Sequence, residues 1–249
     1  MPISTLMNEH WIVPDWPVPA QVRAVTTTRH GGVSRGPYAS MNPADHVGDE
    51  PAAVQSNRQQ LQQTLGLPGQ PLWLQQVHGT AVVNAAGAGQ SPRADGIYSQ
   101  QPGYVCAVMT ADCLPLLLSD ADGQCVAAVH AGWRGLAAGV IEQAVTAMGQ
   151  PGESLLAWLG PAIGPQAFEV GKDVYDSFVR SNSENAIAFT EHGDRWLADL
   201  YQLARLSLSR AGIEQVTGGQ YCTHSESDRF FSYRRDGVTG RMASIIWFE

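Results

Sequence analysis

The chain has 249 residues, 44% apolar and 15% charged, with a formal net charge of -8. That length suits one large domain, residues 1–249, with a sizeable core, and the composition is that of a globular chain. Lys172 is the one lysine, so no basic field exists to attract a long nucleic acid or an anionic membrane, although a few local arginines can still hold a small anion.

The opening stretch MPISTLMNEHWIVPDWPVP has no basic segment leading into an apolar run, so no secretory leader is expected. QVRAVTTTR predicts a first strand, with Val22, Ala24 and Thr26 alternating, and runs into the glycine-rich loop HGGVSRGPY. A helix is predicted from Pro51 to Leu65, capped by Asp49 or Glu50 and followed by Gly66, with Val54, Leu61 and Leu65 facing the core. PLWLQQVHGTAVVNA reads as strand material broken near His78-Gly79, and SPRADGIYSQQPG as loop. YVCAVMTA is a buried strand, and TADCLPLLLSDADGQCVAAVHAGWRG adds two more.

LAAGVIEQAVTAM carries a helical stripe of Leu136, Val140, Ile141, Ala144, Val145 and Met148, ended by Gly149 and Pro151. SLLAWLG is a buried strand, helices are expected around Asp173–Arg180 and Leu197–Arg210, and RMASIIWF is the last strand. No apolar stretch is long enough to span a bilayer. No internal repeat or linker appears. Strands and helices mix without strict βαβ alternation, so the predicted class is α+β.

Cys106, Cys113, Cys125 and Cys222 are the cysteines. Three of them lie in strand-like apolar runs, a poor layout for a disulfide framework, which points to free thiols and a reducing, cytoplasmic setting.

The turn DADG sits between two apolar strands, as in a hairpin. If Asp120 pairs with Gly123, Cys113 faces His130 directly, near enough to share a metal or a proton. A glycine bulge would slip that register, and Pro115 weakens regular pairing beside Cys113. A buried cysteine alone is usually a small core hydrophobe, and a histidine at a strand end is usually structural. Here Asp112 adjoins Cys113, His130 leads straight into Gly132 and Gly135 at a helix start, and the polar residues share the open end of one hairpin. His78, at a strand break beside a glycine, is the best third member. Two histidines and one cysteine form a three-ligand zinc site with a fourth position left for water or substrate.

The blocks TTRHGGVSRGPYASMN, WLQQVHGTAVV, CAVMTADCLPLLL, VAAVHAGWRGLAAGV, LGPAIGPQAFEVG and FFSYRRDGVTGRMAS resemble the laccase-domain family, also called the polyphenol oxidase or peptidoglycan-editing-factor family. The resemblance runs in order from about Arg23 to Trp247. It implies mixed β-sheets flanked by helices, similar to a cysteine-hydrolase-like toxin domain. It also implies a metal site at His78, Cys113 and His130, with zinc as the ion and copper possible in the same place. ADGIYS departs from the family pattern, which more often has Ala after Ala-Asp, and that loop is expected to be peripheral.

Members of the family are described as purine nucleoside enzymes, so the resemblance implies phosphorolysis of adenosine, inosine and methylthioadenosine, plus adenosine deamination. Its partners would be small purine nucleosides and phosphate. A multicopper oxidase mechanism needs many histidines, largely in His-x-His pairs; this chain has seven histidines and no such pair. For the nucleoside chemistry, phosphate needs arginines and backbone N–H groups. Arg29, Arg58 and Arg134 are the candidates, although a salt-bridged surface role suits Arg58 at least as well. Phe231, Tyr233 and Arg234 could stack on or edge a purine. Asp112 would orient a ligand or carry a proton. The alternative is a cysteine hydrolase or amidase acting on peptidoglycan precursors, with Cys113 as nucleophile and His130 as base. Oligomeric state is open, with a monomer as the simpler expectation.

Overall fold

The computed structural model describes residues 10–249, so the leader expectation for the first nine residues lies outside the described residues. The elements in chain order are β1 (Trp11–Ile12), β2 (Val22–Thr27), α1 (Pro51–Leu65), β3 (Val82–Asn84), β4 (Gly96–Ser99), β5 (Cys106–Thr110), β6 (Leu114–Asp120), β7 (Val126–Ala131), α2 (Trp133–Ala137), α3 (Val140–Met148), β8 (Leu155–Leu159), β9 (Glu169–Val170), α4 (Lys172–Val179), β10 (Phe189–His192), β11 (Arg195–Ala198), α5 (Leu200–Arg210), β12 (Gln215–Gly218), α6 (Tyr233–Asp236) and β13 (Met242–Phe248). The class is α+β, as the sequence predicts.

Two sheets carry the core. An antiparallel sheet has the order β1-β2-β13-β5, and a mixed sheet has the order β12-β8-β6-β7-β4-β3. Side chains alternate across each strand and sort the core into layers. On β6, Leu114, Leu116 and Leu118 pack with Leu136, Val140 and Ile141 of the helical face, whereas Leu117 packs between the sheets with Val108 and Ile246. The far face of the first sheet, with Val25, Ala107 and Ile245, is covered by Leu61 and Leu65 of α1. The result is helix, sheet, sheet, helix. Strands buried on both faces explain why β6 and β7 read as unbroken apolar runs. A small third sheet, β10-β11-β9, lies apart from these two.

Several expectations need correction. Most of the stretch from residue 71 to 84 is not strand: only Val82–Asn84 joins a sheet, and single bridges at Leu72 and Gln75 hold the rest. Part of the predicted loop at residues 91–103 is β4, which pairs with β7. The predicted helix over residues 136–148 is split, because Gly139 adopts φ 91° between α2 and α3. Its stripe is buried as expected except for Val145, which is partly buried. The helix predicted from Leu197 begins at Leu200, where the Asp199 carboxylate accepts from Gln202 N–H at 3.0 Å. α1 has the predicted span, but neither acid caps it as a helix N-cap side chain would; Asp49 accepts from Glu50 N–H and from Ser34 and Asn42 instead.

The hairpin register also differs. The DADG turn forms, with Gly123 N–H donating to Asp120 C=O, but the ladder resumes only at Cys125, whose C=O accepts from Asp120 N–H. His130 therefore faces Pro115 and not Cys113, a slip of two residues. An even slip keeps every side chain on its predicted face, so Cys113, just beyond the ladder, still points with His130 into the space between the sheets. All four cysteines are free thiols, as predicted.

Candidate metal centre and active site

The site sits where the chain crosses from one sheet to the other. β5 belongs to the first sheet and β6 to the second, and Ala111, Asp112 and Cys113 make the corner. Asp112 takes φ 89° there, a left-handed conformation that short polar side chains tolerate best. Cys113 follows at once. His130 comes from the facing end of β7, and His78 from the irregular segment before β3.

These are brought together as the sequence predicts. The ligand atoms of His78, Cys113 and His130 all lie within 4.8 Å of one another. Cys113 Sγ is 3.8 Å from His78 Nε2, and the two imidazoles meet edge to face with centroids 4.8 Å apart. A sulfur and a nitrogen on one tetrahedral zinc are roughly 3.6 Å apart, so the donors stand at metal-sharing distances.

One carboxylate organises the cluster. Asp95 is fully buried, and its oxygens accept from Val77, His78 and Gly79 N–H at 3.2, 2.9 and 2.6 Å. Those bonds hold His78 in its φ 60° conformation. Asp95 Oδ1 also accepts from His130 Nδ1 at 2.8 Å, and Asp95 C=O accepts from His130 N–H at 2.7 Å. With Nδ1–H committed, His130 presents Nε2 to the cluster. This fixed tautomer is the usual support for a metal-ligating histidine. The Gln76 amide adds a second tether, donating to Met109 C=O and accepting from Met109 N–H on β5.

The electrostatics follow from these contacts. Burial works to raise the Cys113 pKa, but the His130 charge and hydrogen bonds from both imidazoles outweigh it and bring the thiol down to about 6. Burial works to lower that of His130, but the Cys113 thiolate and Asp95 lift it to about 9. Burial also works against ionised Asp95, yet hydrogen bonds from His130, Gly79 and His78 keep its carboxyl below the usual range. A thiolate with two histidines suits a borderline-soft cation. Gly132 supplies the remaining room: a Cβ there would stand 3.0 Å from His78 and 3.1 Å from Cys113 Sγ. Among the described residues this is the one His/Cys/Asp/Glu group whose ligand atoms converge in this way.

The cluster forms one wall of a cavity of about 420 Å³ that also involves His46, Gln76, Thr110, Tyr233 and Arg241. That size accommodates a small organic ligand. Of the predicted substrate residues, only Tyr233 lines it, 60% exposed. Arg29 donates to Ala39 and Ser227 C=O and lies over Phe231, which is fully buried in the core. Arg134 lies on the exposed side of α2, stacked 4.3 Å over Trp133. Arg234 reaches Glu169 C=O and lies over Phe168. Arg58 pairs with Asp45 at 3.1 Å, the expected surface role. Asp112 has both oxygens engaged, by Thr223 Oγ1 and by Arg234 N–H, each at 2.6 Å. It anchors the start of α6 beside the cavity and does not contact the imidazoles.

Two residues escaped the sequence reading. Asp95 lies in ADGIYS, a loop that the sequence marks as peripheral, and is instead the hub of the cluster. Arg241 is the cavity's cation. The signal for Asp95 was an acid beside a glycine in an apolar setting; for Arg241 there was none beyond its charge.

Residues 23–249 match the family described as multi-copper polyphenol oxidoreductase laccase. The chain belongs to this laccase family. It is 54% identical over 237 residues to purine nucleoside phosphorylase YfiH of Shigella flexneri, covering 95% of this chain and 98% of that protein. It is 52% identical over 241 residues to a Pseudomonas aeruginosa protein also named purine nucleoside phosphorylase, covering 96% and 98%. Among solved structures, a Neisseria meningitidis protein superposes with TM-score 0.94 at 52% identity, covering 96% of this chain and 99% of that one. YlmD of Geobacillus stearothermophilus gives 0.91 at 32% identity, with 96% of each chain covered. The family name speaks of several coppers, whereas this member of the laccase family gathers a single three-donor cluster among its described residues.

Proposed function

We propose that the protein is a purine nucleoside phosphorylase whose active site is the His78–Cys113–His130 cluster, with Zn²⁺ as the bound ion and Cu²⁺ able to take the same place. The observation that carries this reading is an open three-donor cluster on the wall of a nucleoside-sized cavity. Three protein ligands leave a position for substrate, which is how catalytic zinc differs from structural zinc. The names of the relatives support the choice of substrate. When bound, the ion supplies positive charge that stabilises negative charge developing on substrate.

The rest of the chemistry falls to the chain. A phosphate oxygen forms a bond to the ribose C1′ as the C1′–N bond to the purine breaks. The bonding pair leaves with the base, which takes the proton that hydrogen phosphate gives up, and the sugar 1-phosphate results. Asp95 holds the His130 ring through Nδ1 and fixes the backbone that carries His78. Tyr233 offers an aromatic face at the cavity mouth for the purine. Adenosine, inosine and methylthioadenosine are the proposed substrates, and deamination of adenosine at the same open position is a further proposed activity. The free thiols favour a reducing, cytoplasmic setting.

One observation favours a second reading. Cys113, His130 and Asp95 stand in the order nucleophile, base and orienting acid, with His130 Nδ1 2.8 Å from Asp95. That arrangement suits a cysteine hydrolase acting on a peptidoglycan-precursor peptide. The test is to incubate metal-analysed protein with each nucleoside, with and without phosphate. Phosphate-dependent release of base with stoichiometric metal supports phosphorolysis. A metal-free protein that turns over no nucleoside and loses amidase activity on alkylation supports the hydrolase.

A further inference from the structure

We propose that Arg241, Thr110 and His46 form an oxyanion pocket that seats inorganic phosphate beside the metal centre. The choice of phosphate as occupant rests on the phosphorolysis reading above; the pocket itself rests on the following observations.

Arg241 lies at the start of β13 and lines the cavity. Its Nη1 donates to Thr239 and Gly240 C=O, each at 3.0 Å, which fixes the guanidinium without neutralising it. Its backbone N–H donates to the buried Asn42 side chain, which ties the strand start to the rest of the fold. Among the described residues no carboxylate lies within ion-pair distance of it. A half-buried arginine with no acid partner, in a protein of net charge -8, is a cation kept for an anion from outside.

Thr110 gives the independent observation. It is 2% exposed and lines the same cavity, yet its hydroxyl has no hydrogen-bond partner. Thr110 is the register partner of Met242, so it stands at the same end of the β5–β13 pair as Arg241. Leaving a buried hydroxyl unpaired costs folding free energy, and a bound oxyanion would accept from it. His46, from the loop before α1, lines the cavity too. Burial, and then the nearby Arg241 charge, hold it below its ordinary pKa, which keeps the ring neutral and able to donate one N–H.

The carboxylates near these groups are engaged: Asp45, 3.6 Å from His46 Nδ1, pairs with Arg58 at 3.1 Å, and Asp112 accepts from Thr223 and Arg234, which leaves the Cys113 thiolate as the other negative charge. Arg134 and Arg29, the arginines that the glycine-rich motifs advertise, are occupied elsewhere. The cavity thus has a metal-binding wall and an anion-binding wall, with the aromatic ring of Tyr233, over which Arg241 lies at 5.8 Å, between them and the solvent.

The experiment is calorimetric titration of inorganic phosphate into the metal-loaded protein, compared with Arg241→Gln and Thr110→Val, alongside metal content, melting temperature and separate KM values for phosphate and nucleoside. Arg241→Gln is expected to weaken phosphate binding about tenfold or more, as loss of charge-assisted bonds does. Thr110→Val should weaken it severalfold while the melting temperature stays level or rises, because a hydroxyl without a protein partner is removed. Metal content and nucleoside KM should hold in both. If Arg241→Gln does not fold, Arg241→Lys, which keeps the charge and loses the planar fork, is expected to bind phosphate more weakly than the parent. Unchanged phosphate affinity in the Arg241 and Thr110 variants overturns the pocket, as does a fall in melting temperature for Thr110→Val. Phosphate binding lost as expected, in a protein that phosphorolyses no nucleoside, leaves the pocket standing and removes the proposed function. Intact phosphorolysis with unaltered phosphate binding does the reverse.

Discussion

Each end of the β6–β7 hairpin sets a cysteine near a carboxylate, Asp120 from β6 itself at the closed end and Asp95 from just before β4 at the open end, and the two ends do opposite things with them. At the closed end Asp120 accepts from Gln124 and Cys125 N–H at 2.7 and 2.8 Å and shapes the turn. Cys125 is 1% exposed there, and burial together with the Asp120 charge pushes its thiol up to about 12. At the open end Cys113 is brought down to about 6. The difference is where the carboxylate stands. Asp120 faces its cysteine and opposes the thiolate, whereas Asp95 stands behind His130, favours the imidazolium, and through it favours the thiolate. One end is a structural turn and the other a ligand set, although both are made of Cys, Asp and backbone N–H groups.

The sharpest test of that contrast is chemical. In protein stripped of metal by a chelator, alkylation of Cys113 should follow a midpoint near pH 6, and Cys125 should stay unmodified across the neutral range. At pH 7 their thiolate fractions differ by roughly five orders of magnitude, before the shielding of Cys125 from reagent is counted. Peptide mapping of the labelled protein reads both sites at once; equal labelling would erase the contrast. Substitution comes next. Cys113→Ser should reduce bound metal and turnover to background, while Cys125→Ser should leave metal content unchanged and cost about 1–3 kcal/mol of stability through a poorly satisfied buried hydroxyl. The carboxylates should divide in the same way. Asp95→Asn should weaken metal binding about 10–100-fold, because it removes the negative charge behind His130 and replaces one of the two acceptor oxygens with an NH2 group that cannot accept from the N–H donors around it. Asp120→Asn should leave metal affinity alone and cost about 1 kcal/mol in chemical denaturation. Competition against a chromophoric chelator measures the first, and a urea titration the second.

How far this was legible in the sequence follows from where each signal sits. β6, β7, β8 and β13 are buried on both faces, so their apolar runs announce them. α1 begins at Pro51 and ends before Gly66, and its bounds were readable. β9 and β12 are short, partly exposed strands with mixed composition, and their pairing with β11 and β8 depends on distant neighbours that no local pattern encodes, whereas β10 and β11 form a local hairpin whose one signal is the Gly193-Asp194 turn. The trio was readable because Cys113 and His130 end the same hairpin, and because the two-residue register error preserved their face. Asp95 was not, since its role exists only once residues 77–79, 95 and 130 meet. Arg134 was misleading for the same reason: a glycine-rich turn before a helix advertises an anion site, but Trp133 takes the guanidinium, and the cavity's cation comes from the far end of the chain.

The smallest expected effect separates the two ends by glycine alone. Gly123, in the closed turn, has φ 67°, and a Cβ there would also stand 2.8 Å from Gln21 Nε2 and 3.0 Å from Val22. Gly123→Ala therefore meets both backbone strain and crowding, and should cost about 1 kcal/mol of stability with no change in metal affinity. Gly132 has φ -65° and ψ 156°, ordinary extended backbone for any residue. An alanine there is not strained, and the backbone tolerates it. Its Cβ would instead press on His78 Cδ2 at 3.0 Å and Cys113 Sγ at 3.1 Å, contacts that yield only if the donors move by a few tenths of an ångström. Such a shift matters little to folding and more to an ion that needs its ligands at fixed distances. Gly132→Ala should accordingly keep the parent's melting temperature and bind metal severalfold more weakly. If Gly132→Ala instead lost stability and kept its metal affinity, the open end would be a structural turn like the closed one.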